Sequence, residues 1–497
     1  MLLIALLLIP VATAAASYFA GRRAAMEAVN LAGFGAVFVA AVALGKQVLA
    51  SGTVSLGNGF FYADALSALI ILLTASVALI CAAYSIGYLR DDQQSGALGE
   101  DTSGREQIAQ LRMYYTLTPL FVFSMLFMAM ANNLGVMWAA MEATTLASIF
   151  LVTFYGKITS LEAAWKYAMI GGVGLSMALF GTLVAYYAGH TLTGSEALSD
   201  LNWSVLAQHA VQLDKTSMRL AFVLILMGYG TKAGLAPMHT WKPDAYSESP
   251  IPSAALLSTA LLNCALYGLI RFFILTSRCL GTEFPSHLLL LFGLLSMGVS
   301  VPFVLVQKNY RRLLAYHTID HAGIMVTALG LGGALGSLGL MLHMVFHTIA
   351  KALLFLCAGN VYQHFKTDQF AKIKGSVMGA MPLTGVVFLM AMLAIIGMPP
   401  FSIFQSEFLI LQAAFDGGHA LTGVLFVLFS AGVFAGALQH IGAMILGPGE
   451  DAPVAAQRPW RNGSLLALVS TLVIIGFWVP APLFELVRGA ARVVIGQ

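Results

Sequence analysis

Charge is scarce in this sequence. Charged residues make up 9% of the 497, against roughly 25% in a soluble domain. With 59% hydrophobic residues, that scarcity excludes a water-soluble monomer. Basic residues are too few for a nucleic-acid surface: the net charge is +3, and no basic patch interleaves with aromatics. The four cysteines, Cys81, Cys264, Cys279 and Cys357, form no CxxC pair. The usual frameworks for iron–sulfur clusters and structural zinc are therefore missing, and the thiols read as small buried hydrophobes. The first twenty residues lack the basic start of a signal peptide, because Arg22 and Arg23 follow the apolar run. They read as a first transmembrane helix. No Ser-His-Asp or paired-carboxylate arrangement points to hydrolysis, and the glycines at 171, 172 and 174 have no strand before them to make a nucleotide fold.

What is present is a series of long, unalternating apolar runs. These predict an all-α polytopic membrane protein of about 14 transmembrane helices, not a barrel. The seventh span is expected over 217–241, the eighth over 252–277, the tenth over 311–331, the twelfth over 382–412 and the last over 464–486. Val54 to Tyr62, around Gly57-Asn58-Gly59, predicts a short surface hairpin. Loop cations divide unevenly. Fifteen fall on one side, among them Lys157, Lys242, Arg311, Arg312, Lys374 and Arg461, and seven on the other, among them Arg271. The positive-inside rule makes the richer side cytoplasmic and places both termini outside. The expected location is the inner membrane of a bacterial or archaeal cell.

One stretch interrupts this pattern. Gly228 to Pro252 carries Lys232, a Gly234-to-Pro237 break, His239, Lys242, Asp244 and Glu248. Proline inside a helix removes a backbone hydrogen bond, and a broken helix in a membrane is tolerated only where it is buried in protein or lines a wet cavity. A second copy exists. Gly234, Pro237, Trp241 and Asp244 match Gly397, Pro400, Phe404 and Glu407 at a constant offset of 163, with Pro399 preceding Pro400. Paired broken segments point to a transport site. Spans seven and twelve are five apart, so the expected organisation is two inverted five-helix repeats, at 114–277 and 278–446, with discontinuous helices 7 and 12. Residues 1–113 would form three leading helices and 447–497 a closing one.

Ionisable residues collect around the breaks. Glu142, Lys166 and Lys232 lie within spans five, six and seven. A buried carboxylate and amine stabilise each other's charge while burial opposes it, which can make a proton-transfer switch or a static ion pair. His317 and His321 share one face of span ten, and His343, His347 and Lys351 one face of span eleven. Neutral imidazole both donates and accepts, so the stripes can relay protons. Packing histidines and a metal site are the alternatives, the metal site weakened because only Asp320 offers a carboxylate there. Glu407, beyond the second break, could end such a path.

These motifs resemble a known family. Glu142 in MEATTLAS, Lys166 in LEAAWKYAMI, Lys232 in GTKAGLAPMHTWKPDA, and the segments LLNCALYGLIRF, AYHTIDHAGI, HMVFHTIAKALLFLCAGN and MPPFSIFQSEF are similar to the antiporter-like subunits of complex I. They are most similar to the F-type membrane component of hydrogenase-4 and formate hydrogenlyase. The resemblance implies a Glu142–Lys232 pair coupled to a path through His317, His321, His343, His347 and Lys351 to Glu407. It implies proton translocation within a multisubunit redox complex, with nickel–iron and iron–sulfur centres in partner subunits and no cofactor in this chain. A multisubunit sodium/proton antiporter of the Mrp type is the alternative. One departure is Asn263, where complex I relatives often hold a lysine. The end of the chain at Gln497 leads us to expect no long lateral helix.

Overall fold

A computed structural model describes residues 1–98, 104–193, 201–373, 375–447, 454 and 458–496. Lys374 lies outside the described residues. The chain opens with α1 (Leu2–Phe19) and α2 (Arg23–Ser51), then the hairpin β1 (Val54–Leu56) and β2 (Phe61–Ala63), antiparallel with Ser55 opposite Tyr62. Next come α3 (Ala65–Gln94), α4 (Gly104–Met130), α5 (Leu134–Val152), α6 (Ile158–Thr193), α7 (Trp203–Gln208), α8 (Lys215–Ala233), α9 (Trp241–Glu248), α10 (Ile251–Leu256) and α11 (Leu262–Leu280). The remainder is α12 (Glu283–Val306), α13 (Tyr310–Leu331), α14 (Gly333–Phe365), the short α15 (Phe370–Ile373) and α16 (Val377–Ala380), α17 (Pro382–Ile395), α18 (Ser402–Asp416), α19 (Ala420–Leu446), α20 (Pro459–Phe477) and α21 (Ala481–Ile495). Polar side chains start several helices. Asp64 accepts from Ser67 N at 3.0 Å, Asn133 from Gly135 N at 3.0 Å and Asn309 from Arg311 N at 2.9 Å, each satisfying an amide that has no partner within its own helix.

Among the described residues, eleven helices are long and apolar enough to cross a membrane. The expected seventh, tenth and twelfth spans are not among them. The seventh and twelfth are each split in two, and the tenth, α13, carries Arg311, Arg312, His317, Asp320 and His321. The last expected span also divides. α20 stops at Phe477, and after Trp478-Val479-Pro480 the separate helix α21 packs on α3 and α14.

The two splits share a geometry. α8 ends at a left-handed Gly234 (φ +70°), with Leu235 N donating to Gly230 O at 2.8 Å. α17 ends before Gly397 (φ +71°), with Met398 N donating to Leu393 O at 3.1 Å. Both glycine and bond pair repeat at the offset of 163. Only glycine takes this backbone conformation without strain, and the long bond closes carbonyls left open by the helix end.

Apolar side chains give no hydrophobic drive between helices in lipid, so close packing and buried polar contacts hold the bundle. A methyl group on Gly174 of α6 would fall 2.5 Å from Thr231 Cβ of α8, and one on Gly293 of α12 would fall 2.3 Å from Thr327 Oγ1 of α13. α14 is the interior post, packed by α3, α13, α17, α18, α20 and α21. Four cations expected in loops are buried instead: Lys242, Arg271, Arg311 and Arg461. The three arginines have hydrogen-bond partners inside, whereas Lys242 has only the Tyr246 ring, 6.0 Å from its Nζ. Arg271 forms a forked pair with Asp64, both bonds at 2.7 Å, and lies 4.2 Å from the Trp203 ring centroid. Arg311 donates to Ser249 O at 2.5 Å, and Arg461 contacts Asp91 and donates to Asn360 Oδ1 at 2.7 Å.

Candidate functional site

The first break holds Lys232 in the last turn of α8, where unpaired carbonyls favour a cation. Its Nζ is buried and donates to Thr145 Oγ1 of α5 at 2.7 Å and to Tyr167 OH of α6 at 2.6 Å. Tyr167 OH is 2.8 Å from Ser148 Oγ, and the Trp241 ring lies against Tyr167 at 4.6 Å between centroids. Trp241 Nε1 in turn donates at 2.9 Å to Thr231 O, which also accepts from Gly234 N at 3.0 Å. Glu142 sits one helical turn before Thr145, with Oε2 buried and without a hydrogen-bond partner. The expected contact between Glu142 and Lys232 is thus not a salt bridge. Lys232 gives its hydrogen bonds to two hydroxyls, and Glu142 stands nearby as an unpaired carboxylate.

Lys166 departs further from expectation. It is partly exposed and pairs with Glu162 at 2.7 Å and Asp244 at 3.0 Å. Asp244 also contacts Arg312. Glu162, Lys166, Asp244, Glu248 and Arg312 line a polar cleft of about 300 Å³ where α6 and α13 begin. Lys166 therefore belongs to a surface ion cluster and not to the buried interior. A lysine within an apolar run suggests burial, and its i−4 neighbour Glu162 was the available signal against it. Asp244, the sequence counterpart of Glu407, also lies in this cleft. His239 is in the linker between α8 and α9, buried, with Nδ1 unpartnered.

The second cluster follows from one hairpin. α13 and α14 are joined at Gly332, and His321 and His343 lie eleven positions either side of it, His317 and His347 fifteen. The turn therefore brings the two stripes level. Ring centroids of His321 and His343, and of His321 and His347, are each 5.1 Å apart. Lys351 and Asp320 complete the group, and all six side chains are buried. Both nitrogens of His317 and His347, Lys351 Nζ and Asp320 Oδ1 have no hydrogen-bond partner.

From His321 a directed chain leaves this cluster. His321 Nδ1 is 2.9 Å from His343 Nε2, and His343 Nδ1 is 3.0 Å from Ser406 Oγ on α18. The Ser406 hydroxyl donates its single proton to Ile403 O at 2.8 Å. His343 Nδ1–H must then donate to Ser406, which leaves His343 Nε2 bare to accept from His321 Nδ1–H. Glu407 follows on the same helix and brings a carboxylate oxygen near both rings. It lies across the second break, since a methyl on Gly397 would fall 2.2 Å from its Oε2, and it opens on a groove of about 350 Å³ with Phe404, Phe408 and Phe434. Pro399 and Pro400 turn the chain between Gly397 and α18, as Pro237 does after Gly234.

Two trios, His317 with Asp320 and His321, and His321 with His343 and Glu407, hold ligand-type atoms within 4.8 Å of one another. The buried amine of Lys351 beside them is, when protonated, repulsive to a divalent ion. The four cysteines are free and buried. Sequence reasoning missed Thr145, Tyr167 and Ser406. Thr145 shares a helix face with Glu142, and Ser406 adjoins Glu407, so spacing carried a weak signal for both.

Long apolar helices, two of the expected spans broken at a glycine, with lysine and histidine buried beside the breaks, mark an antiporter-like membrane protein. The model of the NADH:quinone oxidoreductase/Mrp antiporter transmembrane family matches residues 131–435, and the chain belongs to that family. It is 36% identical over 389 residues to the hydrogenase-4 component F homolog of Methylacidiphilum infernorum (isolate V4), covering 78% of each chain. Its fold superposes on a chain of the membrane-bound sulfane sulfur reductase, an archaeal respiratory membrane complex, with TM-score 0.85 at 23% identity, covering 99% of this chain and 98% of that one. It also superposes on a chain of respiratory complex I from Thermus thermophilus, with TM-score 0.77 at 26% identity, covering 98% and 100%.

Proposed function

We propose that this chain is the proton-translocating membrane subunit of a redox-driven, hydrogenase-4-like complex. The observation that carries the reading is the set of ionisable groups at and between the two helix breaks: part-buried Glu142 and buried Lys232 at the first, buried His317, Asp320, His321, His343, His347 and Lys351 between them, and part-buried Glu407 at the second. Buried polar atoms without partners are rare and costly, so a cluster of them beside two helix breaks favours a role in moving charge over one in packing. Neutral imidazoles accept and donate in turn: a proton arriving at His321 moves its Nδ1–H to His343 Nε2, the Glu407 carboxylate beside both rings receives the proton that leaves, and Ser406 holds the His343 tautomer.

In this reading Glu142 and Lys232 form the coupled switch. A charge moved by electron transfer in partner subunits shifts the proton between Lys232 and the line beyond it. Nickel–iron and iron–sulfur centres belong to those partners. The expected 14 spans follow if each broken helix and α13 count as crossings, with 114–277 and 278–446 as inverted repeats between 1–113 and 447–497. The repeated break geometry supports that division. Three buried cations leave the richer side of the loop count and one leaves the poorer, so the excess still favours both termini outside an inner membrane. Lys166 and Asp244 line the cytoplasmic mouth in this orientation, and Glu407 faces the exit.

The test is purification of the tagged chain from its native membrane with identification of its companions. Hydrogenase-type large and small subunits are expected. Companions limited to antiporter-like membrane chains, with sodium-dependent pH change in vesicles, would contradict the redox reading and establish sodium/proton exchange.

A further inference from the structure

Between Lys232 and Lys351 the line has a gap, and another lysine stands in it. Lys242, on α9, is fully buried, and its Nζ has no hydrogen-bond partner. An isolated charge is among the costliest groups to bury, yet this one has no carboxylate beside it. Its side chain runs over the first break: a methyl on Gly234 would fall 2.3 Å from Lys242 Cε and 2.9 Å from Nζ. Gly234 is two residues beyond Lys232. On its other side, Lys242 Nζ lies 6.0 Å from the centroid of the Tyr246 ring, and that ring lies 6.0 Å from Phe355 of α14, one turn beyond Lys351. Asn263, which also faces α14, donates to Thr348 Oγ1 at 2.8 Å, and an amide does not carry a proton near neutral pH. At the second break Glu407 takes the equivalent seat over Gly397. The two breaks thus hold side chains of opposite charge, each packed against the left-handed glycine.

We propose that Lys242 is the proton carrier joining the Lys232 site to the histidine–lysine cluster. The inference rests on the proton-translocation reading above and adds the link that reading lacked. In each passage an N–H bond at Lys232 breaks and one at Lys242 forms, through water or directly. The proton then leaves Lys242 for Lys351 or His347, and no electrons move. Each amine alternates between ammonium and free base, which an unpaired buried lysine does more readily than one locked in a salt bridge.

The rival role is packing: the lysine stem fills the break. Two substitutions separate the roles, because methionine matches the unbranched stem but carries no proton, whereas histidine carries a proton but fits the slot poorly. Native complex in inverted vesicles is assayed for proton uptake per redox turnover, with turnover on an artificial acceptor reporting assembly. Lys242→Met is expected to lower proton uptake at least tenfold with turnover retained, and Lys242→His to recover part of it. If the methionine variant does not accumulate, Lys242→Gln takes its place with the same loss expected. Wild-type pumping by the Met or Gln variant, or a Met variant that outperforms His, overturns the proposal. Lys232→Met run alongside identifies what has failed: if it loses pumping while Lys242→Met keeps it, only the Lys242 link falls. If both pump normally, the translocation reading falls with it.

Discussion

Ser406 is a small residue on which the direction of the histidine chain depends. Replacing it by alanine removes the only acceptor for His343 Nδ1–H in a site where the serine is fully buried. An orphaned buried donor costs about 1–3 kcal/mol. The ring can escape that cost by moving its proton to Nε2, but that nitrogen then faces the N–H of His321 across 2.9 Å and no longer accepts. The conducting tautomer therefore falls in population by a factor of about 5 to 150, and proton uptake per turnover falls by up to that factor. The assay is the initial rate of acidification in inverted vesicles, followed by a pH-sensitive dye and divided by the rate of redox turnover. Ser406→Thr keeps the hydroxyl and should retain most of the rate. Wild-type pumping by Ser406→Ala, or equal impairment by threonine and alanine, refutes the directed chain.

Three further outcomes are expected. Arg271→Met strands Asp64 in the interior and should destabilise the bundle by about 3–5 kcal/mol, read as loss of thermal stability in detergent. Arg271→Met with Asp64→Leu should recover much of it, and no recovery would mean that the pair is not the cause. Asp244→Asn breaks the half-exposed cluster with Lys166 and Arg312; exposed pairs contribute about 0.2–1 kcal/mol each, so stability should change little and any effect should shrink at high salt. Gly397→Ala puts a methyl 2.2 Å from Glu407 Oε2 at φ +71°. It should displace the carboxylate and abolish proton uptake while acceptor-linked turnover continues, and unimpaired uptake would remove Glu407 from the line.

The membrane class and both breaks were legible because lipid demands long apolar runs and because proline and glycine mark where a helix cannot continue. The histidine stripes were legible from fourfold spacing, and their meeting followed from the hairpin at Gly332. What was not legible was which cations face inward. Lys166, set in an apolar run, reaches the surface because Glu162 and Asp244 draw it there. Lys242, set among polar residues after a break, is buried because α9 folds back against α6 and α13. Chain position records neither folding-back nor partner, so the two lysines exchanged roles between sequence and structure. The hydroxyls of Thr145 and Tyr167 were hidden for a related reason: the partner that makes them functional is 87 and 65 residues away.

The central claim is that Lys232 passes a proton that redox chemistry drives. The most direct measurement is proton uptake per electron pair in native inverted vesicles carrying Lys232→Met, beside wild type. The expected result is no redox-driven proton uptake through this subunit, with turnover on an artificial acceptor preserved. An unchanged ratio of protons to electrons would contradict it.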